Sequence, residues 1–499
     1  MKEKIKLILL FLFVYFFVML NITGMWAINQ FGNLDINNII FNLTTPLEDA
    51  NTDIIYVYIF DVLLNVKYII FSALILFFVI INFKKDYLVS ISIFKKINIK
   101  FFILKNRKKI LIILLPLITL FNLDYNYNLI HEIKYYFVNS DFIENNYVNV
   151  DIENLTFPEE SRNLIHIVLE SVETSMTSIE NGGAFENDYI PNLMNLADEY
   201  VSFTTNSGGG IMVAPGTGWT VASLFAQTSG LPFYSLVDGN GLGIYESFLP
   251  GAQTIGEILD TQNYNQLFLL GSSASYAGRD VYFESNNYEV KDYDYAVENE
   301  MIDSDYYVFW GYEDGKLIDF AKDELTNLAS KDDPFNFMML TVNTHFIDGY
   351  LEDDYVEVFD TQYENVIYNS DAQVYELVTW IMEQDFYENT TIVITGDHLT
   401  MQNSFFDDVD DNYERTIYNV FINSAIDTEY EYDREFYTMD MYPTILASMG
   451  ITIEDDRLAL GTNLFSGVPT IYEEFGSDYV YEQLSYKSNY YYQRFYYED

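Results

Sequence analysis

The chain has 499 residues, 49% of them hydrophobic, enough for a membrane region and a large folded core. It contains no cysteine, which excludes disulfides, thiol nucleophiles and thiolate metal sites, so any metal must be held by oxygen and imidazole nitrogen. The formal net charge of −50 is unevenly spread: residues 1–110 carry 13 Lys+Arg against 7 Asp+Glu, and the remainder 12 against 68. Nucleic acid is excluded as a partner of the acidic part, because phosphate binding needs a basic face.

Leu7 to Ile28 is a run of 22 uncharged residues, long enough to cross ~30 Å of hydrocarbon as a helix. No small-residue cleavage site follows it, so an uncleaved membrane helix is expected rather than a signal peptide. Val62 to Phe83 is a second expected span, with Lys67 near one end where it can snorkel. Ile110 to Leu123 is a third, extended through Tyr127. Lys2, Lys4 and Lys6 precede the first span, and Lys84, Lys85, Lys95, Lys96, Lys100, Lys105, Arg107, Lys108 and Lys109 lie between the second and third. The positive-inside rule places both basic segments in the cytoplasm. Three crossings then put the acidic domain outside, as part of a multi-pass cell-membrane protein. The expected division is a membrane domain over 1–123, a connector with amphipathic helix over 124–160 and an extracytoplasmic domain over 161–499.

From Asn163 onward, short apolar strands alternate with helical stretches. "NLIHIVLES" (163–171), "NQLFLLG" (265–271), "NFMMLTVNTHF" (336–346) and "TIVITGD" (391–397) read as buried strands. Between the last two, Val374, Leu377, Val378 and Ile381 stand at helical spacing, with Ser370 as the expected N-cap. Such alternation predicts an α/β domain with a largely parallel central sheet. The tail 471–499, with nine tyrosines, is expected to form a last strand and helix packed on the domain.

Ligands in open α/β sheets bind at the carboxyl ends of strands. Glu170 follows "IVL", His345 follows "TVNT", and Asp397 and His398 stand side by side after "TIVITG". Any one of them alone reads as a loop acid or a structural histidine. Together, two carboxylates and an imidazole suit a divalent cation, Mn²⁺, Mg²⁺ or Zn²⁺. In "GGGIMVAPGTGWTVASLFAQTSGLP" (208–232) a glycine-rich loop runs into a helix starting near Thr220. A hydroxyl at a helix N-terminus faces free N–H groups suited to a phosphate, and needs a metal or base to act as a nucleophile. Thr217 is the competing nucleophile, and a plain capping role is the alternative for Thr220.

These residues resemble the alkaline phosphatase and sulfatase superfamily, and more closely its membrane-bound lipoteichoic acid synthase and phosphoglycerol transferase branch. The resemblance covers roughly 160–467. It rests on "VLESVETS", "GTGWTVASLFAQTSGLP", "GSSASYAGRDVYF", "LTVNTHF", "FYENTTIVITGDHLTM", "RTIYNVFINS" and "DMYPTILASMGITIEDDRLALGTNLFSG", in that order. It implies a sulfatase-like fold and one divalent metal, Mn²⁺ or Mg²⁺ with Zn²⁺ as a third candidate, held by Glu170, Thr220, Asp397 and His398. Thr220 would be the nucleophile, and Arg279 and His345 would contact the phosphate. The synthases carry a Trp two residues before that Arg, where this chain has Ala277.

The implied reaction is a double displacement. Thr220 takes phosphoglycerol from phosphatidylglycerol or a similar anionic lipid and passes it to an envelope glycolipid or polymer. A phosphoethanolamine transferase and a hydrolytic phosphodiesterase are the enzymatic alternatives; a catalytically dead envelope scaffold is the alternative from another class. A sulfatase is excluded on the family's own requirement for a Cys or Ser convertible to formylglycine. A two-zinc phosphatase needs more ligands than His345 and His398 supply.

Overall fold

The computed structural model describes residues 2–31, 53–80, 87–93, 97–103, 107–205, 208–234, 249–353, 355–410 and 412–496. They fall into two compact units, one within 2–133 and one within 134–496.

The first unit contains helices α1 (Lys2–Phe31), α2 (Val66–Ile80) and α3 (Arg107–Tyr127). Two stretches, Lys4–Ile28 and Lys109–Tyr127, are long and apolar enough to cross a membrane by length and composition. α2 is 15 residues long and starts at Val66 rather than at Val62, because a short π-helix, Ile59–Leu63, ends just before it. Residues 81–83 of the expected second span lie outside the described residues, as do Lys84, Lys85, Lys95, Lys96 and Lys105. Between α2 and α3 the chain forms an antiparallel hairpin, Tyr87–Ile93 with Ile97–Ile103. Polar side chains tie the apolar helices together: Asn21 Nδ2 donates to Thr119 Oγ1 at 2.7 Å, and Asn122 Nδ2 donates to Asn21 Oδ1 at 3.0 Å. Such bonds hold helices where burial alone gives no preference for one neighbour over another.

The second unit is built on a six-stranded sheet. Its strands are β1 (Asn163–Leu169), β2 (Asn265–Leu270), β3 (Glu289–Lys291), β4 (Phe335–Leu340), β5 (Thr390–Gly396) and β6 (Asn419–Ile422). The spatial order is β3-β2-β4-β1-β5-β6, parallel throughout except for β6, which runs antiparallel to β5 at one edge. Both faces of the central strands are buried, which is why these segments are almost continuously apolar. Leu164, Val168, Met338 and Val393 face one core with α5 (Thr220–Ser229), α6 (Arg279–Ser285) and α9 (Met441–Ser448). Ile165, Ile167, Phe337 and Ile394 face the other, with α4 (Pro191–Glu199), α7 (Asp314–Ala329) and α8 (Gln362–Met382). The result is the expected layered α/β domain.

Two local expectations are corrected. α8 starts at Gln362, capped by Thr361 in a capping box with Glu364; Ser370 lies buried in its interior. The tail forms three short helices, Ile471–Phe475, Ser477–Ser485 and Asn489–Phe495, and no strand among the described residues. Val480 with Leu484, and Tyr491 with Phe495, are buried at i,i+4 spacing, so a helix buries them on one face where a strand would scatter them.

Candidate active site

The register of β1 on β5 pairs Leu169 with Gly396, so the next residues, Glu170 and Asp397, leave the sheet side by side. Gly396 is required at that point: a Cβ there would meet the Val172 carbonyl oxygen at 2.1 Å. Glu170, Asp397 and His398 form a buried group whose ligand atoms all lie within 4.8 Å of one another. Asp397 Oδ1 accepts from the Ser171 N–H at 2.7 Å and from the His398 N–H at 2.7 Å. Asp397 Oδ2 is buried with no hydrogen-bond partner, 3.3 Å from His398 Nε2. His398 Nδ1 lies 2.9 Å from the Leu399 carbonyl oxygen, which can only accept; in the neutral ring the proton therefore sits on Nδ1 and Nε2 presents a lone pair to the group.

The electrostatics are those of an anionic cluster short of positive charge. Burial first, and then the Glu170 carboxylate, pushes the Asp397 pKa up to about 7. Burial works to raise Glu170 too, yet the imidazoles of His345 and His398 hold it below the usual carboxylate value. His398 is opposed by burial but lifted above its ordinary value by Asp397 and Glu170. A cation at the centre would replace the proton these groups compete for.

Thr220 opens α5, and every later residue of that helix is buried. Its hydroxyl lies 3.4 Å from Glu170 Oε2 and 3.3 Å from His398 Nε2. Thr217 is placed quite differently. It is fully buried, its hydroxyl donates to the Ala214 carbonyl at 2.9 Å, and it accepts from the Ala214 N–H at 3.0 Å. That hydroxyl closes the loop on itself.

Arg279 starts α6 and is 6% exposed. Its guanidinium donates to the Ser272 hydroxyl at 3.2 Å and to the Ser273 and Tyr276 carbonyls at 2.8 and 3.2 Å. Among the described residues no carboxylate lies within ion-pair distance of it, and burial lowers its pKa while Tyr276 and Glu170 resist. A buried guanidinium with no ion-pair partner is a costly group, and one chemically able to take an anion. His345 lies five residues beyond the end of β4, in a half-buried loop, and burial lowers its pKa against the pull of Glu170. Thr220, Glu170, Arg279, His345 and His398 line one cleft. Asp397 lies behind it, fully buried.

Sequence reasoning missed the residues that hold this group in place. Ser171, with φ 58°, supplies the N–H to Asp397 and donates its own hydroxyl to Glu170 Oε1 at 2.6 Å. Thr341 Oγ1 accepts from the Glu170 N–H at 2.9 Å. Asp314 accepts from the Val342 and Asn343 N–H groups at 2.8 and 3.0 Å, fixing the turn before His345. Glu173, three residues after Glu170, is buried against Arg415. Of the remaining histidines, His166 is inside the sheet on Thr395, its pKa lowered to about 3 by burial, and takes no part in the cleft.

The family model for sulfatases matches residues 162–451. Phosphoglycerol transferase I of Salmonella choleraesuis (strain SC-B67) is 26% identical over 323 residues, 62% of this chain and 40% of that protein. Phosphoglycerol transferase I of Citrobacter koseri is 29% identical over 262 residues, 50% of this chain and 32% of that one. The chain thus spans less than half the length of the curated relatives it matches. A solved structure from the alkaline phosphatase superfamily of Vibrio parahaemolyticus superposes with a TM-score of 0.51 at 19% identity, over 66% of this chain and 78% of that one, a likeness of fold.

Proposed function

The chain belongs to the sulfatase family, and from that membership and the geometry of the cleft we propose that it is a membrane-bound phosphoglycerol transferase. The donor is an anionic lipid, phosphatidylglycerol, and the acceptor a hydroxyl of a cell-envelope glycolipid or polymer. The observation that carries this reading is the Thr220 hydroxyl at a helix N-terminus, facing Glu170 and His398 in the cleft that also holds Arg279. Relatives named phosphoglycerol transferase support the group transferred. The two helices long enough to span a bilayer, and the basic residues flanking them, support a multi-pass protein with its acidic domain outside the membrane.

The residues present fit a divalent metal. Asp397 Oδ2 is an orphaned buried carboxylate oxygen, Glu170 is a second buried carboxylate, and His398 offers Nε2. Oxygen and imidazole donors without sulfur favour Mn²⁺ or Mg²⁺, with Zn²⁺ next. Held by these groups and Thr220, such an ion would lower the pKa of the threonine hydroxyl and offset charge on the phosphoryl oxygens.

The chain's own groups supply the rest. Arg279 holds a phosphoryl oxygen. Thr220 Oγ1 bonds to phosphorus as the bond to the diacylglycerol oxygen breaks, and that oxygen leaves with a proton. The acceptor hydroxyl then attacks the same phosphorus, loses its proton and frees Thr220. His345, kept neutral by burial, can take and return the proton. Its neighbours Glu170 and Arg279 act on it in opposite senses, so phosphate binding shifts the balance toward its charged form.

The deciding experiment incubates the full chain with phosphatidylglycerol and Mn²⁺ and maps the adduct by peptide mass spectrometry. A phosphoglycerol mass on Thr220, absent from Thr220→Ala, is expected. Thr217→Val should keep the adduct and lose only loop order. An adduct on Thr217, transfer by Thr220→Ala, or a phosphoethanolamine adduct from phosphatidylethanolamine would overturn the reading.

A further inference from the structure

We infer that Trp310 is a specificity-determining residue of the cleft: its indole N–H donates to a hydroxyl of the headgroup, selecting a polyol phosphoester over an alkyl or aminoalkyl one. The choice of glycerol as that polyol rests on the transferase reading above. Trp310 lines the cleft together with Thr220, Arg279 and His345. Its Nε1 is buried and has no hydrogen-bond partner. An indole nitrogen can only donate, and a buried donor left unmade is rare in native structures. A ligand oxygen resolves the deficit.

The ring is held firmly enough to read a substrate. It packs on the His345 imidazole at 4.6 Å between centroids and on the Tyr276 ring at 5.6 Å. Tyr276 in turn lies 5.9 Å below the Arg279 guanidinium, so the Trp310 ring stands one ring away from the group that takes the phosphate. The backbone is pinned directly after Trp310. Gly311 has φ 156° and approaches Gly271 so closely that a Cβ would meet the Gly271 carbonyl oxygen at 2.0 Å. The Tyr312 N–H donates to that same carbonyl at 2.9 Å, tying the segment to the end of β2. A donor on a pinned loop, adjacent to an anion-binding cation, suits a phosphoester arm that ends in an acceptor.

The chemistry discriminates between headgroups. A glycerol hydroxyl has lone pairs and accepts from the indole. An ethanolamine ammonium has three donors and no acceptor, so it would leave Nε1 unpaired beside a guanidinium of like charge. A plain alkyl arm would leave it unpaired as well. One hydrogen bond, with the burial penalty for missing it, corresponds to about tenfold in affinity.

The test measures calorimetric binding of glycerol phosphate and propyl phosphate to the full chain with Mn²⁺, beside Trp310→Phe, which keeps an aromatic ring and removes the N–H. Wild type should prefer glycerol phosphate by about tenfold, and Trp310→Phe should lose that preference with propyl phosphate binding unchanged. Equal affinities in wild type overturn the inference without any variant. An equal loss for both ligands in Trp310→Phe, at an unchanged melting temperature, overturns it too, since that is the mark of a packing role. Turnover of phosphatidylglycerol, assayed in parallel, separates the two claims. A hydroxyl preference without turnover leaves Trp310 as assigned and defeats the transferase reading; turnover without the preference does the reverse.

Discussion

Replacing Arg415 by Met should destabilise the catalytic unit more than any surface change, because it strands a buried charge. The Glu173 carboxylate is wholly buried. It accepts from Arg415 Nε at 2.9 Å and from Arg415 Nη2, and also from the Thr400 N–H at 2.8 Å and the Ser175 hydroxyl. Arg415 further donates to the Thr400 carbonyl at 2.9 Å and lies 3.8 Å from the Phe406 ring centroid. Met keeps the apolar stem over Phe406 and removes both charged donors. Stranding one partner of a buried pair costs about 3–5 kcal/mol. The 22% exposure of the Arg415 side chain lets water reach the pair's edge and favours the lower end, about 3 kcal/mol. At about 2 °C per kcal/mol for a unit of this size, the melting temperature should fall by about 6 °C. Differential scanning calorimetry of the full chain in detergent reads this directly. Adding Glu173→Gln to Arg415→Met should recover part of the loss, since the amide needs no counter-ion. Transfer should fall in both variants, because Glu173 holds Thr400, two residues from His398. A melting temperature within about 1 °C of wild type in Arg415→Met would refute the argument.

Asp397→Asn keeps an oxygen for the Ser171 and His398 N–H groups and removes the anionic Oδ2, so bound manganese in dialysed protein should drop about tenfold; unchanged metal content would count against the ligand set. Asp440 is buried, and burial pushes its pKa up to about 7, well above its value of about 3.9 in an unfolded chain. The folded state therefore keeps a proton that the unfolded chain releases between about pH 4 and 7, and stability should fall as pH rises through that window and level off above it. Asp440→Asn should flatten the melting curve there by the share Asp440 carries, Asp314 carrying another; a slope identical to wild type rules Asp440 out. With 68 acidic against 12 basic residues beyond residue 110, stability should rise between 0.15 and 1 M NaCl, as the Debye length shrinks from ~8 to ~3 Å, and a salt-independent melting temperature would deny self-repulsion any part.

The parts of the site legible in the sequence were those written into strand ends. Glu170, Asp397 and His398 each follow an apolar run, and a parallel sheet delivers the ends of such runs to one edge. That Glu170 and Asp397 are neighbours comes from β1 lying against β5 in a register that no local pattern carries across 226 intervening positions. Spacing alone left Thr217 and Thr220 as rivals, because both are hydroxyls in one glycine-rich loop; what separates them is where each hydroxyl's partners lie. Some misses had a readable signal. Thr361 and Glu364 form a T-x-x-E capping box ahead of α8, whereas Ser370 drew attention only because a polar residue preceded the plainest apolar stripe. The tail's i,i+4 pairs were likewise readable as helix beneath its tyrosines. Trp310 and the Glu173–Arg415 pair had no such signal. Trp310 sits in the aromatic run "YYVFWGY", where nothing periodic marks one ring as facing a cleft, and Glu173 meets a residue 242 positions away.

On the proposed reading, so acidic a domain must take an anionic headgroup, and the distribution of charge bears on how. Field at the surface is screened over a Debye length, whereas a buried charge acts at short range and in lower dielectric. Arg279 is buried, hydrogen-bonded to backbone carbonyls and a serine, and free of any acid within ion-pair distance among the described residues. Of the carboxylates that act on it, Glu170, Asp292 and Asp280, Glu170 is the one a divalent cation would neutralise. Under that proposal, local cationic character in the cleft would depend on Arg279 and on such an ion, while the acidic exterior would set only the long-range approach. Salt should accelerate capture of an anionic lipid by screening the exterior and leave the bound state nearly unchanged, the opposite of the dependence expected for a protein that steers anions with a basic surface.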